Sequence, residues 1–346
     1  LAGKVTRDDV ARLAGVSSAT VSYVINKGPR PVAKSTQQNV LDAIRKLDYE
    51  PDGIARSLAT RRTRNIGFIV PDILNPAHTA ITRALGDALW NAEYSLTLGN
   101  SDENPQRELA YLRAFRGKGV DGVALTPGGG NRGALFALHE AGRPLVLLDR
   151  QIEGLAVDCV LFENQEGTRA ALRHLIGLGH RRIGLINLPA ALTPGRERMA
   201  GYQEALAEAG LRSDPALIRE GGFKGGDDCP GRRSEGRRLA AELLALPDPP
   251  TALFVSNNRL MRGVLRLVRE RGLRVPADLA LATFDDMESY EDNTPSITAV
   301  GTSLRAFGHE VARLLLEQIE RGEHGRAPRV VRIPHRLNIR ESTRGA

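Results

Sequence analysis

Cysteine is nearly absent from this 346-residue chain. Its two thiols, Cys159 and Cys229, stand far apart in no metal-ligand or redox spacing, so neither a disulfide scaffold nor a zinc module is expected. Two unpaired thiols in a reducing compartment are the plain reading. Also missing is any apolar run of the roughly 18 residues that a membrane-spanning helix needs, and no basic-then-apolar export pattern opens the chain. The expectation is a cytoplasmic location with no membrane partner. Catalytic signatures are missing too: there is no nucleophile elbow, no Ser-His-Asp spacing and no metal cluster. The stretch "TPGGGN" (126–131) fits neither a dinucleotide fingerprint nor a P-loop and reads as a turn. An α/β enzyme is therefore the weaker reading, and no cofactor is expected.

What is present is a lopsided charge. Residues 1–64 hold 12 Lys and Arg against 6 Asp and Glu, so they supply +6 of the total +7. A compact basic module on a nearly neutral body is the electrostatic footprint of nucleic-acid binding. The first fifty residues read as three helices. Thr6 can cap the first, whose apolar set is Val10, Leu13 and Ala14, and Gly15 suits the left-handed position that ends it. Ser17 can cap the second, and the third, from about Ser35 to Leu47, would bury Val40, Ile44 and Leu47. Only Gly15-Val16 separates the first two, the short connection of a helix-turn-helix. In the second helix, within "GVSSATVSYVIN" (15–26), Val21, Val24 and Ile25 share one side. Ser18, Ala19, Ser22 and Tyr23 point the other way, an outer side with no charge.

Residues 51–64 form a basic linker with a short helix from Asp52 to about Ala59. Such a helix is too short to be stable alone, since those below about 12 residues are marginal in water. Beyond it, strand-like runs such as "IGFIVP", "PLVLLD", "RIGLIN" and "LALATFDD" alternate with helical stretches. Alternation of this kind predicts parallel sheets with crossover helices. About ten strands over some 280 residues suggest two lobes, one about 65–160 plus 295–324, the other about 161–294 plus 325–346. The Gly-rich segment 221–236 reads as an extended loop.

Six colinear segments, "VTRDDVARLAGVSSATVSYVIN", "VLDAIRKLDYEPDGIARSLAT", "IGFIVPDILNP", "RERMAGYQEAL", "RGLRVPADLALATFDD" and "RIPHRLNIREST", resemble the LacI/GalR family of bacterial transcription regulators. The resemblance implies an N-terminal all-α helix-turn-helix domain (1–50), a hinge helix and linker (51–64), and a two-lobed α/β effector-binding and dimerisation domain of the periplasmic-binding-protein type (65–346). It further implies a homodimer that binds near-palindromic operator double-stranded DNA under control of a small-molecule effector. The tail shows no heptad extension, so a dimer is expected rather than a coiled-coil tetramer. A transport-type sugar-binding protein, the other alternative, would need an export signal and would not carry the basic module.

By the same resemblance, Ser18 and Ala19 are the main base readers. Tyr23 stands where Arg or His is frequent. Thr20 and Ser22 suit phosphates, and Thr6, Ser17 and Asn26 complete the DNA-contacting set. Leu58 would wedge into the central minor-groove step, with Arg56, Arg61, Arg62 and Arg64 on phosphates. Binding should then weaken with salt at a log–log slope of about −0.9 per neutralised phosphate. Asp52 stands where Asn is usual, and Ala33 where Ser often caps the third helix.

In open α/β sheets, ligands sit beyond the carboxyl ends of the strands. Asp72 and Asn75 fall there after the first strand, Asp102 after the second, and Asp149 and Arg150 after the fourth. From the other lobe come Arg198, Asn257 and Asp285. The resemblance assigns Arg198, in the pattern Arg-x-x-Gly-aromatic, and Asp285, in "FDD", to the effector. Such groups suit polyols, which makes a sugar or sugar derivative the expected class. Ala77-His78 replaces a usual aromatic pair, and His78 either bonds the effector or is simply exposed. Phe223 is a candidate aromatic wall, and Arg150 with Arg198 leaves a phosphorylated effector open.

Overall fold

The computed structural model describes residues 5–25, 31–50, 62–222, 232–321 (backbone only over 232–234) and 327–344. It divides into two compact units, Leu1–Thr63 and Arg64–Ala346.

The first unit holds α1 (Arg7–Ala14), α2 (Ser18–Ile25) and α3 (Lys34–Leu47). Thr6 caps α1 in a reciprocal capping box with Asp9, and Gly15 ends it at φ 67°. Ser17 caps α2 by accepting from the Thr20 N–H (3.2 Å). Ala33 leaves α3 without a side-chain cap. Val10, Ala11, Val21, Val24, Val40 and Ala43 form the core. Leu13, expected inside, is half exposed. In an eight-residue helix, one turn of the helical wheel decides which residue faces inward, and here Ala11 takes that place.

In the second unit, one six-stranded sheet is ordered β11-β5-β4-β3-β1-β2 and another β12-β10-β9-β8-β6-β7. Their strands are β1 (Asn65–Val70), β2 (Ser95–Asn100), β3 (Gly122–Leu125), β4 (Leu145–Leu148), β5 (Asp158–Phe162), β6 (Ile183–Asn187), β7 (Ile218–Glu220), β8 (Ala252–Val255), β9 (Ala280–Phe284), β10 (Thr298–Thr302), β11 (Val330–Ile333) and β12 (His335–Asn338). Crossovers run through α4 (Pro76–Asn91), α5 (Pro105–Lys118), α6 (Arg132–Glu140), α7 (Asn164–Gly177), α8 (Thr193–Glu208), α9 (Arg232–Leu243), α10 (Asn258–Arg271) and α11 (Leu304–Arg321). Central strands β3, β4, β6, β8 and β9 are buried along their whole length, which is why they read as continuous apolar runs.

The lobe boundaries differ from the expected ones. Thr298–Thr302 pairs with β9 and β12 and so belongs to the second sheet, although 295–324 was expected in the first lobe. Val330–Ile333 pairs with β5 in the first sheet, although 325–346 was expected in the second. The chain crosses between lobes just after Phe162, Thr302 and Ile333, because each of these strands finds its hydrogen-bonding partner in the sheet it completes.

Candidate functional site

Where strand ends meet helix starts, the two lobes enclose a cavity of about 50 Å³. Asn75, His78, Asp149, Arg150, Arg198, Asn257 and Asp285 line it, so seven of the ten predicted effector residues converge. Asp72 lies behind the wall and pairs with Arg259 (2.8 Å). Asp102 falls outside the lining and pairs with Arg107 (3.5 Å). Phe223 lies outside the described residues. The backbone at this rim is forced: Asp102, Glu103, Asp149 and Asp285 all have positive φ (53–68°) at strand ends. Left-handed conformations at non-glycine residues gather where function holds them.

Charge is unevenly compensated. The Arg150 guanidinium is buried and donates twice to Glu103 (2.7 and 2.9 Å) and once to the Pro127 carbonyl (3.2 Å). Burial pulls its pKa down, but the Glu103 pair more than offsets this and leaves it above the ordinary value. Arg198, equally buried, has no ion pair within 4.0 Å among the described residues. It donates to Asn164 Oδ1 (2.9 Å) and to the Ser256 carbonyl, and its guanidinium carbon sits 3.7 Å over the Phe284 ring. Burial lowers its pKa, against the fields of Asp285 and Asp149. Burial raises Asp149, with Arg198 and Arg150 opposing, and its Oδ1 has no hydrogen-bond partner among the described residues. His78 is half-buried rather than exposed. Its Nδ1 lies 2.9 Å from the Asp72 carbonyl, and burial lowers its pKa.

Among the described residues, contacts across the cleft include the Gln151 N–H donating to Thr193 Oγ1 (2.9 Å) and two between side chains. One is the Asp72–Arg259 pair. The other is the Asn258 amide, which donates to Asn75 Oδ1 (2.9 Å). Sequence reading missed Glu103, Arg259 and the apolar walls Phe162 and Phe307, whose ring centroids lie 4.6 Å apart with the rings tilted by 36°. Arg259, two positions past the capping Asn257, looks in the sequence like any surface cation of α10. The glycine of Arg-x-x-Gly-aromatic proves to be a packing residue, because a Cβ at Gly201 would overlap the Gln165 carbonyl of α7. Tyr202 beside it is buried and donates to the Ile183 carbonyl (2.8 Å).

In the N-terminal unit, Ala19 is exposed on α2, and Ser22 and Tyr23 are half-buried. Ser18 already donates to Asp8 of α1, a partner the sequence did not suggest. Thr6 and Ser17 hold caps, and the Ser17 hydroxyl meets that of Thr20 (2.9 Å). Asn26, Arg56, Leu58, Arg61 and Asp52 lie outside the described residues. Arg64, expected on phosphate, lies against the effector unit: it donates to the Ala92 carbonyl (3.2 Å) and covers the Tyr94 ring at 5.1 Å.

Comparison with known proteins agrees over the whole chain. Residues 6–52 match the family described as bacterial regulatory proteins, lacI family, and residues 172–343 match a periplasmic binding protein-like domain. The chain is 31% identical over 342 residues to the probable HTH-type transcriptional regulator EndR of Paenibacillus polymyxa, covering 97% of this chain and 98% of the relative. Among solved structures it is similar to the transcriptional regulator CelR in complex with cellobiose, at 31% identity, covering 98% and 99% of the two chains with a TM-score of 0.71. It is also similar to a lac repressor dimer bound to operator and the anti-inducer ONPF, at 26% identity, covering 99% of each chain with a TM-score of 0.84.

Proposed function

The chain belongs to the lacI family of bacterial regulatory proteins, and from that premise we propose that it represses transcription as a homodimer on a near-palindromic operator, switched by a neutral, hydroxyl-rich molecule in the cleft. Family membership makes it a ligand-responsive, DNA-binding transcriptional repressor and not an enzyme. The neutral effector is argued from one observation: Arg198 is flanked by the charges of Asp149 and Asp285, while Arg150 is neutralised by Glu103. Two carboxylates around one unspent guanidinium accept hydrogen bonds from hydroxyls and repel a phosphate. A phosphorylated effector, open on sequence alone, is thereby disfavoured. The cellobiose bound to CelR supports the carbohydrate class.

A cavity of about 50 Å³ is far below the roughly 300–1,000 Å³ of ligand sites. Admission of a sugar therefore requires the Asp72–Arg259 and Asn75–Asn258 contacts to part, which couples occupancy to the separation of the lobes. The dimer reading draws on the lac repressor dimer and on the exposed Leu74 and Trp90 at either end of α4.

The test is a thermal-shift series with neutral mono- and disaccharides and their phosphate esters, on wild type and Arg198→Ala. A neutral sugar at about 100 times its Kd should stabilise the wild type by about 2.7 kcal/mol. The variant should remain a folded dimer without that response. Stabilisation by phosphate esters alone, or an unchanged response in the variant, would refute the reading.

A further inference from the structure

A second, larger cavity of about 380 Å³ lies at the amino end of the central strand β3, opposite the strand ends that meet the cleft, between α5 and α6. Its volume falls within the roughly 300–1,000 Å³ typical of small-molecule sites. The body of the cavity is apolar, with Leu112 of α5, Val123 of β3 and Leu138 of α6 among its walls. Three arginines, Arg113, Arg116 and Arg143, complete the lining. All three are exposed, and none has a carboxylate within 4.0 Å among the described residues. Some helical arginines of this chain spend their donors on acids three or four positions away, as Arg266–Glu270 and Arg313–Glu317 do, whereas these three keep theirs. Three unspent guanidinium groups at one apolar cavity form a two-part recognition surface, because an arginine fork matches a carboxylate and the greasy interior matches what hangs from it.

We propose that this cavity binds a small amphipathic monocarboxylate, its apolar body between α5 and α6 and its carboxylate on Arg113, Arg116 and Arg143, as a second ligand site separate from the cleft between the lobes. A free molecule fits better than a flat lipid surface, because the apolar walls line a concave recess rather than a protruding face. The site also touches the start of the effector unit. Gly122 in its wall follows Asp121, whose carboxylate accepts from the Arg64 N–H (2.9 Å) and whose own N–H donates to the Asn65 carbonyl (2.8 Å).

The probe pair is decanoate and decanol, which share an apolar tail and differ in charge, titrated below micelle formation into the full-length protein and followed by calorimetry. Decanoate should bind one site per chain at least tenfold tighter than decanol. The doubly substituted Arg116→Gln/Arg143→Gln should weaken decanoate at least tenfold and leave decanol unchanged. Ala137→Trp, placed at an exposed lining position so that folding is spared, should abolish both. Equal affinity for the two probes, binding indifferent to either variant, or no binding of decanoate to folded wild type would overturn the proposal. Decanoate captured only with vesicles present would assign the arginines to a membrane surface instead and equally overturn it. Failure of the sugar series at Arg198 would leave this outcome untouched, since the two cavities share no residue.

Discussion

Single side chains carry conflicting duties in both units. Asp149 keeps a buried carboxylate oxygen without a partner among the described residues, held at φ 60°. An unsatisfied buried acceptor costs on the order of 1–3 kcal/mol, and removing the charge should recover part of it. Asp149→Asn, which tolerates the left-handed backbone, is expected to raise stability in urea by about 1 kcal/mol while weakening effector binding. A variant no more stable than wild type would mean that the carboxylate is satisfied in solution. In the N-terminal unit, Asp8 holds the Ser18 hydroxyl and places a negative charge beside the side of α2 proposed to meet DNA. Asp8→Ala frees that hydroxyl and removes the repulsion, and operator affinity by fluorescence anisotropy should rise several-fold, on the order of 1 kcal/mol at low salt. An affinity that fell would show that the Asp8–Ser18 contact orients α2 for reading.

Between elements, glycines set how closely helices approach. Gly201 lets α8 lie against α7, and a methyl group there would strike backbone rather than a movable side chain. Gly201→Ala should cost about 1–3 kcal/mol of stability by denaturant titration, the usual range for overpacking. Because Arg198 stands one turn earlier on α8, effector affinity should fall with it. How much of this could be read from the sequence varied with the element. Strands buried on both faces were plain as apolar runs, and the capping of α1 was plain from Thr6 and Gly15. By contrast, "VVRIPHRLN" hid two short edge strands, since half-exposed strands carry arginine and histidine like any loop. Which sheet β11 joined depended on pairing with β5, far back in the chain, where Val330 meets Cys159, and periodicity holds no record of that. In the site, the residues just after strands were legible by topology. Glu103 and Arg259 were not: the partner of Glu103, Arg150, comes from another strand end of the same sheet, and the partner of Arg259, Asp72, from the other lobe.

For the molecule as a whole, pH should act through half-buried histidines. His78, His174 and His180 all have pKa values lowered by burial. Between each lowered value and the ordinary value near 6.5, the unfolded chain holds a proton that the folded chain does not, so stability is complete above about pH 6.5 and is lost as pH falls. Asp149, with its pKa raised, has the opposite sign: the folded state takes up its proton more readily, which favours folding as pH drops. Thermal midpoints should therefore decline between about pH 7.5 and pH 5.5. The decline should steepen in Asp149→Asn wherever pH falls below the raised Asp149 value, at about 2–4 °C per kcal/mol. A flat profile in that variant would contradict the histidine account. The threefold passage between lobes has a genetic consequence as well. Since β11 closes one sheet and the adjoining β12 the other, a nonsense codon upstream of residue 330 strips an edge from both at once. Neither lobe could then be inherited, swapped or expressed as an uninterrupted stretch of gene, and late truncations should behave as complete losses rather than as single-lobe fragments.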